Sequence, residues 1–274
     1  MVQVNKLGEQ IGAEILGVDV KTMSDETFAL IYRTWLDNNV IAVRDQVLEI
    51  EDFLTYSRRF GCLHEHPSKM TRHDTHPELT VMGINKFDAD GNLDYDVYAR
   101  GGANWHTDGA YDADPFKATQ LYALAIPSSG GDTLFASMYA AYDGLPARLK
   151  AQLEGRLGAF TYGGRTQQSS ALLNPEDRDW VPVHHPIIRT HPETGRKGLY
   201  FDPGKIVRIE GLEPAQSEDL IEDLTQRMIQ PGAEYRHRWR AGDIVIWDNR
   251  CSYHMAAADY PPEEDRIHWR VSIK

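Results

Sequence analysis

From residue 79 onward the chain is built of short apolar runs cut apart by Gly, Pro and Asp: LTVMG, TQLYALAIP, DTLFAS, LGAFTY, VHHPIIRT, KGLYF, YRHRWR, DIVIWD and RIHWRVSIK. A parallel α/β fold would place a helix between most of these runs, whereas a sandwich, barrel or jelly roll joins short strands by turns. Helix-length intervals are few. One covers about residues 137–154, and another, after Pro214, carries Leu220, Ile221, Leu224 and Met228 on a single face. Nearer the N-terminus, Ser24 caps a helix marked by Phe28, Ile31, Tyr32, Trp35 and Leu36. VIAVR at 40–44 reads as a buried strand, and a second helix runs through Phe53, Leu54 and Phe60 to Gly61. No linker or internal repeat divides the sequence, so residues 1–274 are expected to form one domain, mainly β with flanking helices.

The interval from about 84 to 103 has no core periodicity and contains Tyr95, Tyr98 and Arg100 among several aspartates. It has two readings, a lid over a site or a surface excursion. Asp and Glu outnumber Lys and Arg by 41 to 29, a formal net charge of −12 that disfavours nucleic acid and anionic membrane as partners. No apolar run reaches membrane-spanning length, and MVQVNKLGEQIGAEILG lacks a signal-peptide core, so the expected compartment is the cytoplasm. Only Cys62 and Cys251 are present, without a CxxC pair. Any metal must therefore be held by histidine and carboxylate, a set suited to iron, manganese or zinc.

NWHTD at 104–108 offers such ligands, because alternate residues of an extended segment share a side and His106 and Asp108 can face one ion. Taken alone the pair is ordinary. His254 is the best third candidate, since GDIVIWDNRCSYH places it just past a buried-looking strand. Two histidines and a carboxylate form a facial triad that leaves three positions open and favours ferrous iron. At the C-terminus, Arg266, His268, Arg270 and Ser272 alternate with Ile267, Trp269, Val271 and Ile273. A face with two arginines belongs either to a solvated edge strand or to a polar pocket.

The joint order of His106, Asp108, Thr133, His254 and Arg266 resembles the signature of the iron(II)- and 2-oxoglutarate-dependent dioxygenases of the taurine dioxygenase type, which include herbicide-degrading and alkylsulfate-cleaving members. FGCLHEHP at 60–67, NWHTD at 104–108, SSGGDTLFAS at 128–137, GDIVIWDNRCSYH at 242–254, DY at 259–260 and RIHWR at 266–270 carry it over nearly the whole chain. The resemblance implies a double-stranded β-helix (jelly roll) core with flanking helices and a lid insertion. It further implies that His106, Asp108 and His254 hold Fe(II), that Thr133 and Arg266 bind the distal carboxylate of 2-oxoglutarate, and that Trp247 packs near the metal. A guanidinium that grips a carboxylate bidentately suits that role. Arg270 would face the primary substrate with His66 on the opposite side, O2 would be the second co-substrate, and a homodimer or homotetramer is expected.

The pocket departs from the taurine-cleaving members at Pro67-Ser68-Lys69-Met70 and at Arg100–Asn104, which argues against taurine itself. Arg270, with His66, Lys69 or Arg100, points to another small organic anion: a carboxylate, sulfonate, sulfate or phosphonate. Tyr95, Tyr98 and Tyr111 are an aromatic wall or lid packing. His64 and His66 form an HxH pair without a matching carboxylate and distal histidine, and His73, His76, His191 and His237 read as surface residues. His268 is a pocket residue or a buried hydrogen-bonding one. The expected reaction is hydroxylation coupled to release of succinate and carbon dioxide, with cleavage where the new hydroxyl sits beside a heteroatom. Rival functions for the same ligands are a zinc hydrolase and a non-catalytic small-anion binding protein.

Overall fold

The computed structural model describes residues 2–65, 72–83, 104–165 and 181–274. In chain order the elements are β1 (Gln3–Lys6), β2 (Ala13–Leu16), α1 (Asp25–Asn38), β3 (Val40–Val43), α2 (Ile50–Arg58), β4 (Leu63–His64), β5 (Thr80–Met82), β6 (Ala118–Ala125) and β7 (Thr133–Ser137). There follow α3 (Met138–Asp143), α4 (Ala147–Leu153), β8 (Leu157–Phe160), β9 (Val183–Pro186), β10 (Ile188–Thr190), β11 (Lys197–Leu199) and β12 (Ile206–Ile209). The chain ends with α5 (Pro214–Arg227), β13 (Glu234–His237), β14 (Ile244–Asp248), β15 (Ser252–Ala256) and β16 (Ile267–Ile273).

Among the described residues the large sheet has the order β1-β2-β3-β14-β6-β16-β4, with β5 also on β16, and a smaller sheet has the order β13-β7-β15. The buried runs VIAV and IVIWD show why the two sheets form a jelly roll. Ile41, Val43, Ile244 and Ile246 pack outward under α1 and α2, while Val40, Ala42, Val245 and Trp247 pack inward against Phe135, Tyr235 and Trp239 of the β7 side. With both faces covered, every residue of β3 and β14 is buried and the sequence need not alternate. A third core gathers α3, α5 and β8 to β12 around Phe160, Leu199, Ile206 and Leu224.

The Ser24 side chain caps α1 by accepting the Thr27 N–H, and Pro214 opens α5 at its first turn, as the sequence predicts. Two expectations change. The helix expected over 137–154 is two helices, because α3 is capped at Gly144 and Pro146 sets the extended start of α4. His254 lies inside a strand of its own, β15, and not in the turn that follows β14. Of the two readings of the C-terminal strand, the solvated edge is excluded: β16 pairs β6 on one side and β4 and β5 on the other, so its arginine face points into the roll. The 84–103 interval lies outside the described residues.

The turn from β14 to β15 is pinned by a buried ion cluster. Arg250 donates from Nε to Asp248 Oδ1 at 2.8 Å and from Nη2 to Oδ2 at 2.6 Å, and from Nη1 to Glu193 at 2.7 Å. His191 Nδ1 accepts the Glu193 and Thr194 N–H groups, so its proton sits on Nε2 and is donated to Asp248 Oδ2 at 3.1 Å. Although His191, Asp248 and Cys251 group as metal-binding types do, that tautomer leaves His191 no lone pair for an ion. His191 and His237 are thus buried and not on the surface; His237 is held by Tyr235 and Asp243.

Burial works against ionisation of Asp248, but the Arg250 and His191 hydrogen bonds outweigh it and hold the carboxyl below its usual range. Its stabilisation is therefore complete above the unfolded carboxyl value of about 4 and is lost as pH falls below it. Asp248→Asn is expected to cost about 3 kcal/mol at pH 7, with a smaller deficit at pH 3. Urea unfolding at both values measures this; equal midpoints at pH 7 would contradict the role of the cluster.

Candidate active site

The segment before β6 joins the smaller sheet by one bridge. His106 N–H donates to His254 O at 3.0 Å and His254 N–H to His106 O at 2.9 Å, so the two residues stand directly opposite on neighbouring strands. Their rings lie 4.1 Å apart between centroids, and Asp108, two residues on, turns to the same side. Asp108 Oδ1 lies 3.9 Å from His106 Nε2 and Oδ2 lies 3.6 Å from His254 Nε2. One ligand atom from each of the three falls within 4.8 Å of the others.

These side chains fit a divalent ion. His106 Nδ1 lies 2.8 Å from the Asn104 carbonyl, which can only accept, so the proton is on Nδ1 and the Nε2 lone pair faces Asp108. His254 packs between Trp247, at 4.6 Å, and Phe135, at 6.3 Å, and burial first, then the neighbouring His106, keeps its imidazole neutral. For Asp108, burial opposes the charge, but Arg270, His254, His106 and a hydrogen bond from Thr119 hold the carboxyl far below its usual range. A neutral His254 and an ionised Asp108, with the His106 Nε2 lone pair turned to the same side, present the ligand atoms a metal requires.

Asp108 is supported from both sides. Thr119 Oγ1 donates to Oδ2 at 2.7 Å and itself accepts from Asn249 Nδ2 at 2.9 Å; Arg270 Nη2 donates to Oδ1 at 2.9 Å. Between the two putting side chains of His106 and Asp108, Thr107 donates its N–H to Asp202 at 3.3 Å and its hydroxyl to Asn249 O at 2.8 Å. Asp202 is fully buried, and that burial raises its pKa against the pull of His106 and Lys205. Sequence reasoning did not single out Thr119, Asn249 or Asp202. Asn249 stood within a quoted motif, but its partners lie more than a hundred residues away.

Arg266 and Thr133 meet deeper along the same face. Arg266 Nη2 donates to Thr133 Oγ1 at 3.3 Å and Nε to Gly131 O at 2.6 Å, while Trp239 Nε1 also donates to Thr133 at 3.0 Å. Glycine is required where this arginine passes. Gly131 has φ +68° and a Cβ there would meet the Arg266 side chain at 3.1 Å; Gly83 has φ +88° and its Cβ would fall 1.9 Å from Arg266 O. Among the described residues no carboxylate makes a direct ion pair with Arg266: its hydrogen bonds go to neutral acceptors, while Asp132 and Asp259 act on its charge from farther off. His268, between the arginines, is wholly buried against Trp239 at 4.4 Å, and neither ring nitrogen has a hydrogen-bond partner among the described residues. His66, Lys69, Tyr95, Tyr98 and Arg100 fall outside the described residues. His64 packs on Phe116 at 5.1 Å, and Tyr111 packs on Tyr162 at 4.9 Å.

The family model described as "Taurine catabolism dioxygenase TauD, TfdA family" matches residues 3–272. The chain is 33% identical to an (S)-phenoxypropionate/alpha-ketoglutarate-dioxygenase of Sphingobium herbicidovorans, across 97% of this chain and 93% of that protein. It is 32% identical to an alkylsulfatase of Acinetobacter baylyi, across 99% of this chain and 84% of that protein. A crystal structure of a putative alpha-ketoglutarate-dependent taurine dioxygenase from Burkholderia xenovorans superposes with a TM-score of 0.81 at 30% identity, covering 100% of this chain and 89% of that one.

Removing the Thr119 hydroxyl while keeping its shape isolates the support it gives Asp108. In Thr119→Val the affinity for Co(II), read from its visible absorption, is expected to fall about tenfold. An unchanged affinity would show that the hydroxyl does not tune the carboxylate.

Proposed function

The chain belongs to the TauD, TfdA family of taurine catabolism dioxygenases and is a 2-oxoglutarate-dependent dioxygenase, and on that premise we propose the division of labour within its site. His106, Asp108 and His254 hold Fe(II). Thr133 and Arg266 receive the distal carboxylate of 2-oxoglutarate, and Arg270 receives the anionic group of the primary substrate. The reading is carried by one observation: two imidazoles and an ionised carboxylate converge on one side of the His106–His254 bridge, with two arginines of the same strand face beside them.

The iron, when bound, supplies the redox chemistry that couples 2-oxoglutarate decarboxylation to oxidation of a substrate C–H bond. The chain's own contribution is placement and charge. Asp108 stays ionised because Arg270 and Thr119 bind its charged form, and His106 keeps its lone pair forward because Asn104 O holds the proton behind. Arg266 is a planar donor with no carboxylate in direct contact among the described residues, which suits a carboxylate guest, and Thr133 adds a hydroxyl. Because Arg270 lies 2.9 Å from Asp108, an anion gripped by that guanidinium is held within a side chain's length of the three ligands.

The substrate is a small organic anion other than taurine, bearing a carboxylate, sulfonate, sulfate or phosphonate. Support comes from Arg270 and from relatives named for phenoxypropionate and for alkyl sulfate cleavage. A zinc hydrolase would leave Arg266 and Thr133 without a task. No helix among the described residues is long and apolar enough to cross a membrane, in keeping with action in the cytoplasm. The homodimer or homotetramer implied by the family likeness is read directly by sedimentation.

Succinate release by the Fe(II)-loaded protein, measured with and without a panel of organic anions, tests the reading. A rise with at least one anion is expected; no succinate under any condition would overturn it. Arg266→Ala is expected to weaken 2-oxoglutarate binding roughly ten- to hundredfold while metal affinity is kept, as loss of a charge-assisted contact predicts. Unchanged co-substrate affinity would remove Arg266 from that role.

A further inference from the structure

Thr133 opens β7 directly opposite His237 of β13 and Ala256 of β15. Two residues after His237, Trp239 reaches back to the same threonine, and its indole Nε1 donates to Thr133 Oγ1 at 3.0 Å. Arg266 Nη2 donates to that oxygen at 3.3 Å. An indole N–H and a guanidinium can only donate, whereas a hydroxyl carries two lone pairs and one proton. The two donors therefore occupy both lone pairs of Thr133, and its proton is left to point at a third group. The hydroxyl is buried, and among the described residues it makes no hydrogen bond as a donor.

Trp239 is itself held in place. Its indole meets two wholly buried imidazoles edge to face, His237 at 4.5 Å and His268 at 4.4 Å. One carboxylate braces the chain on both sides of it: Asp243 Oδ2 lies 3.2 Å from His237 Nε2 and accepts the Arg240 N–H at 2.8 Å, and it is anchored in turn by Arg44 Nη1 at 2.5 Å. An indole held by its rings and its backbone fixes the direction of the hydrogen bond it gives. Two donors feeding one hydroxyl also polarise its O–H bond, which strengthens the hydrogen bond that the hydroxyl gives to a guest.

We propose that Trp239 is a positioning residue for the co-substrate: by taking one lone pair of Thr133 while Arg266 takes the other, it commits the Thr133 hydroxyl to donate to the distal carboxylate of 2-oxoglutarate. This rests on the assignment of Thr133 and Arg266 to that carboxylate above. A carboxylate, made only of acceptors, satisfies the hydroxyl and the guanidinium together. In the sequence Trp239 belongs to YRHRWR, a run that reads as a strand and gives no sign of a partner 106 residues away.

The test is a double-mutant cycle on the Mn(II)-loaded protein, with 2-oxoglutarate affinity read by calorimetry. Trp239→Phe keeps an aromatic ring and removes the N–H; it is expected to weaken 2-oxoglutarate binding roughly three- to tenfold, the scale of one neutral hydrogen bond, with Mn(II) affinity unchanged. In the Thr133→Val background the same replacement is expected to cost nothing further, because there is no hydroxyl left to orient, and in the Thr133→Ser background the loss returns. Thermal unfolding followed by circular dichroism confirms that each variant is folded. Should Trp239→Phe not fold, benzothienylalanine at position 239, in which sulfur replaces the N–H of a ring of similar shape, carries the same comparison. No loss in the wild-type background overturns the proposal, as does an equal loss with and without the Thr133 hydroxyl, which would mark Trp239 as packing alone. Failure of the underlying site assignment registers separately, as 2-oxoglutarate affinity unchanged in both Thr133→Val and Arg266→Ala, and it takes the proposal with it.

Discussion

Two backbone hydrogen bonds between His106 and His254 are the constraint on which the site depends. Each residue belongs to a different part of the chain, and only their pairing puts two imidazoles side by side with Asp108 turned to meet them. The bridge is short, so it needs bracing. Thr107 and Thr119 tie the ligand segment to Asn249, and Asp202 ties it to the loop before β12. Asp248 and Arg250 lock the turn from which β15 departs. The side chains that fix the geometry thus lie behind the three that converge, the arrangement an organised metal site requires.

The jelly roll makes this affordable by leaving one strand face free for polar work. β16 runs through the large sheet with Trp269, Val271 and Ile273 packed under the helices, so Arg270 and Arg266 are compelled to the inner side. Buried guanidinium groups need acceptors, and each arginine has one: Asp108 for Arg270, and Gly131 O with Thr133 for Arg266. The difference matters. Arg270 is paired with the Asp108 carboxylate, while the hydrogen bonds of Arg266 go to neutral oxygen, with Asp132 and Asp259 acting on it from farther off.

Much of this was legible in the sequence because strands and ligands are local patterns. The apolar runs from LTVMG to RIHWRVSIK give β5 to β11, β13, β14 and β16, and the HxD spacing with a distal histidine gives the three side chains that converge, His106, Asp108 and His254. β1 is polar (QVNK), β2 (AEIL) and β12 (IVRI) are only four residues long and fall in none of the runs read as strands, and β15 hides behind the turn after β14. A single helix over 137–154 fails because Gly144 and Pro146 outweigh the apolar spacing on either side. His191 and His237 look like surface residues because their polar neighbours are close in sequence, yet each is buried against a carboxylate, Asp248 or Asp243, that the sheets bring in. Thr119 and Asp202 were missed for the same reason: their hydrogen bonds arise from register between distant segments, which no local spacing encodes.

The most direct measurement is an anaerobic titration of metal-free protein with Fe(II) and then 2-oxoglutarate, followed by the weak visible charge-transfer band of a keto acid chelated to iron. The account predicts that the band appears in the wild-type protein and is lost in both His106→Ala and His254→Ala. A wild-type protein that binds iron without the band, or a band that survives either replacement, would contradict the claim that these residues hold one iron with adjacent positions open.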